Sequence, residues 1–182
     1  MATLSLARWV PGADAAPAWV PVHAVAGLPQ PDPESVLLLA ARLEPEAPED
    51  EVARYEHFLN REERVRMERF RVEIARRRFL VGRGLMRAML GLALERPPLA
   101  VPLVEGEHGK PALDPAAAGH MIHFNLSHSG DIVLIGFTVR AELGVDIEAM
   151  RPGRMVDEIM ARQFHPDERE AVADEADFFR CW

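Results

Sequence analysis

The run HFNLSHSGDIVLIGFTVRAELGVDIE at residues 123–148 leaves this chain few ways to fold. Its apolar stretches over residues 131–139 and 143–148 have the length and β-branched content of strands, with a short polar link between them. The pattern predicts an antiparallel hairpin. Asp146 and Glu148 are two residues apart on its second strand, so both side chains should leave the same face.

This pair of acidic residues predicts a metal site. Two neighbouring carboxylates repel each other unless a cation lies between them, and oxygen ligands of this kind favour Mg²⁺. Just upstream, residues 125–130 run from a strand end into a turn and offer an amide, hydroxyls, an imidazole and backbone N–H groups. Together the two segments predict a site that holds a phosphate next to a metal ion. The structural alternative for Asp146 and Glu148 is a solvated pair on an edge strand.

Composition narrows the class of protein. The 182 residues fit one ordinary domain or two small halves that share an interface, and a hydrophobic content of 48% is enough for a core. The single cysteine, Cys181, cannot form an internal disulfide. The start of the chain lacks the pattern of a signal peptide, and nowhere do 18 apolar residues run together. We therefore expect a cytoplasmic protein that does not bind membranes.

The net charge of −8 is unevenly distributed along the chain. Residues 61–96 contain 11 arginines and five glutamates, a local balance of +6, so the remainder carries −14. A protein that binds duplex DNA would be basic over a broad face, so nucleic acid is not an expected partner. A local basic patch on an acidic body suits a small polyanion or an acidic helix of a partner protein. The alternative is a solvated arginine-rich helix.

Hydrophobic periodicity predicts mixed helices and strands. Residues 1–35 are a Pro/Ala-rich leader with an edge strand at 19–26, and residues 36–44 form a continuous apolar run typical of a buried strand. Helical spacing over residues 50–94 breaks near 71–73 and should end before the Pro97–Pro98 pair. Further strands are expected at 100–104 and 121–126, and further helices at 154–163, at 166–173 and from residue 178.

Five short motifs follow one another in the second half of the sequence. HGKP at residues 108–111, FNLSHSG at 124–130 and GVDIE at 144–148 are followed by FHPDE and then FFRCW. This ordered set resembles the 4'-phosphopantetheinyl transferases of the surfactin-synthetase-activating type, over roughly residues 55–182.

The resemblance implies an α+β fold of two similar halves related by a pseudo-twofold axis, with coenzyme A between them. Residues 1–142 would form the N-terminal half, and residues 143–182 the C-terminal half, which carries the metal-binding strand. The family's W-x-x-K-E-A segment would begin at Trp182, so the second half is expected to be truncated. We therefore expect weak or absent turnover from the chain as written. The full-length protein is expected to be a monomer.

The activity implied by the resemblance is of the holo-acyl-carrier-protein synthase type. The 4'-phosphopantetheine group moves from coenzyme A to a serine of an acyl or peptidyl carrier protein, and adenosine 3',5'-bisphosphate is released. The sequence leaves open whether the carrier serves fatty-acid, polyketide or non-ribosomal-peptide synthesis. The alternative is a non-catalytic fragment that binds coenzyme A or a carrier protein.

The resemblance also assigns the site residues. Asp146 and Glu148 would bind Mg²⁺ and take part in catalysis. Glu168 of the FHPDE motif would join the metal or base network, although a first-turn glutamate stabilised by the helix dipole fits its position equally well.

Five further residues are predicted to bind coenzyme A. Lys110, the only lysine in the chain, belongs to the GKP motif, and Ser127 and His128 belong to the SHS motif. Arg66 and Arg78 match positions that place cations towards the 3'-phosphate, where the planar guanidinium can bind phosphate with two hydrogen bonds.

Overall fold

The computed structural model describes residues 2–10, 18–22, 30–43, 53–106, 109–119, 122–150 and 156–181. Helices and strands are mixed along this part of the chain, so the predicted α+β class is confirmed. The pseudo-twofold relation between two halves stays a prediction. None of the helices within these described ranges is long and apolar enough to cross a membrane.

The described residues form seven strands in two antiparallel sheets. The strands are β1 (Ala2–Trp9), β2 (Val20–Val22), β3 (Val36–Leu43), β4 (Leu103–Glu105), β5 (Pro111–Leu113), β6 (His123–Ser129) and β7 (Ile132–Thr138). The larger sheet has the order β2-β1-β3-β7-β6, and β4 pairs with β5 in the smaller sheet. A turn at Gly130, whose φ of 58° suits glycine, joins β6 to β7.

Six α-helices are present in the same part of the chain. They are α1 (Arg61–Glu68), α2 (Glu73–Ala93), α3 (Pro115–Ala118), α4 (Val156–Gln163), α5 (Pro166–Ala171) and α6 (Glu175–Cys181), with 3-10 turns at Arg54–Phe58 and Pro98–Ala100. Asn60 starts α1 with a capping box, in which its side chain accepts a hydrogen bond from the Glu63 backbone. Proline at positions 97 and 98 follows the end of α2 because it cannot continue a helix.

The main core lies between α2 and one face of the large sheet. Leu39, Ile135 and Phe137 are fully buried on this face, and the helix contributes Leu85 and Leu90. Burying each such side chain contributes about 1.5–3 kcal/mol to folding. This packing fixes α2 against the strands β3 and β7.

Most of the predicted elements are confirmed. The buried strand expected at 36–44 is β3, and the helical region breaks near residue 71 into α1 and α2. The edge strand expected at 19–26 is present as β2, while residues 23–26 lie outside the described part of the chain. Residues 1–35 were predicted as a leader with only that strand, yet Ala2–Trp9 forms an eight-residue strand, β1, in the sheet.

The predicted hairpin between residues 131–139 and 143–148 is wrong. β7 pairs with β6 along one edge and with β3 along the other, so it has no edge left for another strand. Residues 143–147, here called the post-β7 segment, form no strand. Asp146 and Glu148 therefore do not lie on the predicted metal-binding strand.

The chain divides into two compact units, residues 1–147 and 148–182. Every member of the main core cluster belongs to the first unit. In the second unit, the rings of Phe164 and Phe178 stack with their centroids 5.5 Å apart. The predicted division into similar halves after residue 142 stays a prediction.

Candidate functional site

Side chains of β6 hold the post-β7 segment. The side-chain oxygen of Asn125 accepts a hydrogen bond from the Val145 N–H at 2.8 Å. Two residues further along the strand, the Ser127 hydroxyl accepts from the Ile147 N–H at 3.2 Å and donates to the Asp146 carboxylate at 2.7 Å. Because a hydroxyl can donate and accept at once, Ser127 fixes both the backbone and the acidic side chain of this segment.

Gly136 and Lys110 complete the attachment of the segment. A Cβ at Gly136 would lie 2.7 Å from a Val145 methyl group and 2.8 Å from a Leu143 methyl group, so any larger residue would force these side chains to shift. The Lys110 ammonium group donates a hydrogen bond to the Leu143 carbonyl at 3.0 Å. The GKP loop, β6 and the residues around Asp146 are therefore joined by direct contacts.

A cavity of about 430 Å³ lies between β6, the GKP loop and the helices α1 and α2. We call it the cationic cavity, because its lining includes Arg66, Arg78, Arg83, Lys110 and His128. Four of the five predicted coenzyme A contacts are thus brought together by elements that are far apart in the sequence. The concentration of guanidinium groups suits a ligand that carries phosphates.

Arg78 has a buried donor without an acceptor. Its Nε is shielded from solvent, and no described residue accepts a hydrogen bond from it. A buried N–H of this kind costs free energy when it stays unsatisfied, so few occur in folded proteins. Arg78 is also among the residues that line the cationic cavity, where an anionic ligand would provide acceptors for its guanidinium group.

Arg83 is a cavity residue that the sequence analysis missed. Its guanidinium lies 5.7 Å from the centre of the Phe79 ring, and its side chain is only 15% exposed. Burial lowers the pKa of Arg83 below its ordinary value, an effect opposed by Glu63 and reinforced by Arg66 and Arg87. The signal was present, because Phe79, Arg83 and Arg87 follow one another at four-residue spacing on one face of α2.

Ser127 and His128 are separated by the alternation of side chains along β6. His128 is exposed and lines the cationic cavity, whereas the hydroxyl of Ser127 contacts the post-β7 segment. The predicted contact of Ser127 with coenzyme A stays a prediction.

The chemistry of the predicted metal ligands fits a hard cation. Asp146 is exposed, and the Ser127 hydroxyl orients one of its carboxylate oxygens. Glu148 is half-buried and is the first residue of the second compact unit. Within the described ranges, no three His, Cys, Asp or Glu residues are grouped so as to hold a metal ion. Magnesium binding by Asp146 and Glu148 stays a prediction.

Glu168 has a structural role in the second unit. Its carboxylate accepts a hydrogen bond from the His165 backbone N–H at 2.7 Å, which forms a capping box at the start of α5. The exposed side chain thus stabilises its own helix. Its predicted catalytic role stays a prediction.

The fold and the site together define an α+β protein with a cationic cavity suited to a phosphorylated ligand. The model of the family described as "4'-phosphopantetheinyl transferase, N-terminal" matches residues 44–139. The chain is 32% identical over 163 residues to the 4'-phosphopantetheinyl transferase HetI of Nostoc sp., covering 84% of this chain and 69% of that protein. It therefore belongs to the 4'-phosphopantetheinyl transferase superfamily.

Two other relatives agree with this assignment. A phosphopantetheinyl transferase of Thraustochytrium sp. is 41% identical over 144 residues, which are 75% of this chain and 49% of that protein. The 4'-phosphopantetheinyl transferase psf-1 of Bacillus pumilus is 35% identical over 131 residues, 69% of this chain and 54% of that protein. The chain thus spans about half the length of these two relatives.

Proposed function

We propose that this protein transfers 4'-phosphopantetheine from coenzyme A to a serine of an acyl or peptidyl carrier protein. The observation that carries the proposal is the cationic cavity, whose lining brings Arg66, Arg78, Arg83, Lys110 and His128 together. Coenzyme A carries a pyrophosphate and a 3'-phosphate, so it offers the acceptors that these cations need. The names of the relatives support the class of reaction.

In this reaction the serine oxygen forms a bond to the β-phosphorus of coenzyme A. The bond from that phosphorus to the bridging oxygen breaks, the serine proton is released, and adenosine 3',5'-bisphosphate leaves. Positioning and charge neutralisation do most of the work in phosphoryl transfer. Arg66, Arg78, Arg83, Lys110 and His128 would bind the phosphates, because arginine in particular can donate two parallel hydrogen bonds to one phosphate.

The carboxylates of Asp146 and Glu148 would hold Mg²⁺. The ion would supply neutralisation of the negative charge on the pyrophosphate. Ser127 supports this role because its hydroxyl keeps the Asp146 carboxylate oriented, as the partners of metal ligands commonly do.

A transfer assay with a change at Arg78 tests the proposal. Wild-type protein, coenzyme A and Mg²⁺ are mixed in turn with fatty-acid, polyketide and non-ribosomal-peptide carrier proteins, and mass spectrometry follows the addition of phosphopantetheine. Arg78→Gln should raise the KM for coenzyme A about tenfold, the equivalent of about 1.4 kcal/mol, because a guanidinium group that lines the cavity is lost. The exposed Arg71→Gln is the matched control and should leave KM unchanged.

The outcomes separate the two candidate functions. If a carrier protein gains the mass of phosphopantetheine and this gain depends on Arg78, the transferase function is supported. Tight binding of coenzyme A in calorimetry without transfer to any of the carriers would instead support the alternative, a fragment that only binds coenzyme A. If the protein neither binds coenzyme A nor modifies any of the carriers, both candidate functions are refuted.

A further inference from the structure

Glu63 is a buried residue next to the cationic cavity. Its carboxylate caps α1 and also contacts two arginines of α2. The residue is only 8% exposed and lies in the first turn of the helix. Its backbone and side chain form the capping box with Asn60. A buried carboxylate keeps its charge only when cations and hydrogen-bond donors surround it, and here Arg83 and Arg87 approach it from α2.

The two carboxylate oxygens of Glu63 have different partners. Oε2 accepts from the Asn60 backbone N–H at 2.9 Å and from Arg87 Nε at 2.7 Å. Oε1 lies 3.6 Å from Nε of Arg83. One oxygen therefore joins α1 to α2, while the other faces the arginine that lines the cavity.

Arg83 needs this counter-charge. Arg66 and Arg87 are both close enough to disfavour its charged form, and its side chain is largely withdrawn from water. Two acidic residues, Glu63 and Glu105, favour the charged form of Arg83. Of these, Glu63 is buried, whereas the side chain of Glu105 is 71% exposed. Coulombic attraction is far stronger at a buried site than at an exposed one.

We infer that Glu63 is a positioning residue, whose Oε1 holds the guanidinium of Arg83 at the wall of the cationic cavity and so sets the affinity for a phosphorylated ligand. The identity of that ligand as coenzyme A rests on the proposed function. Glu63 itself lines a smaller recess beside the cavity and acts through Arg83.

The variant that isolates this role is Glu63→Gln. Glutamine also forms capping boxes, and its amide oxygen can still accept from Asn60 and Arg87, so the link between the helices survives. Its uncharged amide no longer attracts Arg83. The control is Glu68→Gln, which removes the same charge from an exposed position on the same helix.

The first measurement needs no ligand. The order parameter of the Arg83 Nε–H, from nitrogen-15 relaxation, should fall in Glu63→Gln and stay at the wild-type value in Glu68→Gln. An unchanged value in Glu63→Gln would overturn the inference. If Glu63→Gln does not fold, Glu63→Asp takes its place, because the shorter carboxylate should also release Arg83.

The second measurement is a double-mutant cycle on coenzyme A binding by calorimetry. Glu63→Gln should raise the Kd about fivefold in the wild-type background and have no effect when Arg83→Gln is already present. An equal increase in both backgrounds would mean that Glu63 acts through the fold alone, and would refute the inference. A wild-type protein that does not bind coenzyme A would refute the proposed function, while the Arg83 relaxation measurement would still decide whether Glu63 holds Arg83.

Discussion

Arg87 shows how far a single charged residue supports this fold. It is 2% exposed, and besides Glu63 it binds the Pro98 carbonyl at 3.0 Å. A buried ion pair gives little net stability, but removing one partner leaves the other charge uncompensated. The ion pair of Arg87 with Glu63 therefore adds little net stability, but loss of Arg87 would leave the buried charge of Glu63 without a partner.

Arg87→Ala should therefore lower the free energy of unfolding by about 3–5 kcal/mol, because Glu63 would keep a buried charge without its closest partner. Urea denaturation followed by circular dichroism measures the change. The exposed Arg71→Ala should stay within about 0.5 kcal/mol of wild type. A loss below about 1 kcal/mol in Arg87→Ala would mean that water or a rearranged cation can replace the pair.

Asn125 and Ser127 make a second prediction at the scale of single residues. Ser127→Ala should speed hydrogen exchange at the Ile147 amide and leave the Val145 amide protected, because each amide has its own side-chain acceptor. Asn125→Ala should do the reverse, so each variant is the control for the other. Faster exchange at both amides in both variants would show that the post-β7 segment opens as one unit.

The post-β7 segment also makes a prediction about the packing of elements. Gly136→Ala should destabilise the protein by about 1–3 kcal/mol, because the added methyl group overlaps Val145 and Leu143 side chains at under 3 Å. Gly144→Ala is the matched control, since nothing lies within 4 Å of the methyl group it would add. Thermal unfolding of both variants tests this. Equal stability would mean that the segment can move away from β7 at little cost.

The sequence predicted these elements unequally well. Apolar spacing located α1, α2, β3 and β7, because a face buried against the core imposes a strict period. It could not reveal that β3 and β6 occupy the two edges of β7. The apolar run at 143–148 looks like a strand in isolation, yet side-chain acceptors on β6 take the hydrogen bonds that a partner strand would have provided.

At the scale of the whole molecule, the sequence predicted only those residues of the candidate site that belong to recognisable motifs. Arg66, Arg78, Lys110 and His128 could be named from motifs, and the fold gathers them around one cavity. Arg83 and Glu63 belong to none of these motifs, and their importance comes from burial and from their contact with each other. The strand β1 was missed because the proline and alanine content of residues 1–35 obscured an eight-residue strand whose conformation is explained by its pairing with β3.

The division into two compact units leads to the last prediction. All residues of the main core cluster lie within residues 1–147, so this unit contains both the sheet and the helix that covers it. A protein of residues 1–147 should therefore unfold cooperatively on heating. The peptide 148–182 has 35 residues, below the length of about 40 at which chains fold without disulfides, metals or partners, and should show no cooperative transition. Calorimetry of the two pieces is the measurement. A broad, non-cooperative transition for residues 1–147 would mean that its core depends on residues beyond Ile147, although the sheet hydrogen bonds and the Glu63–Arg87 pair all lie before that point.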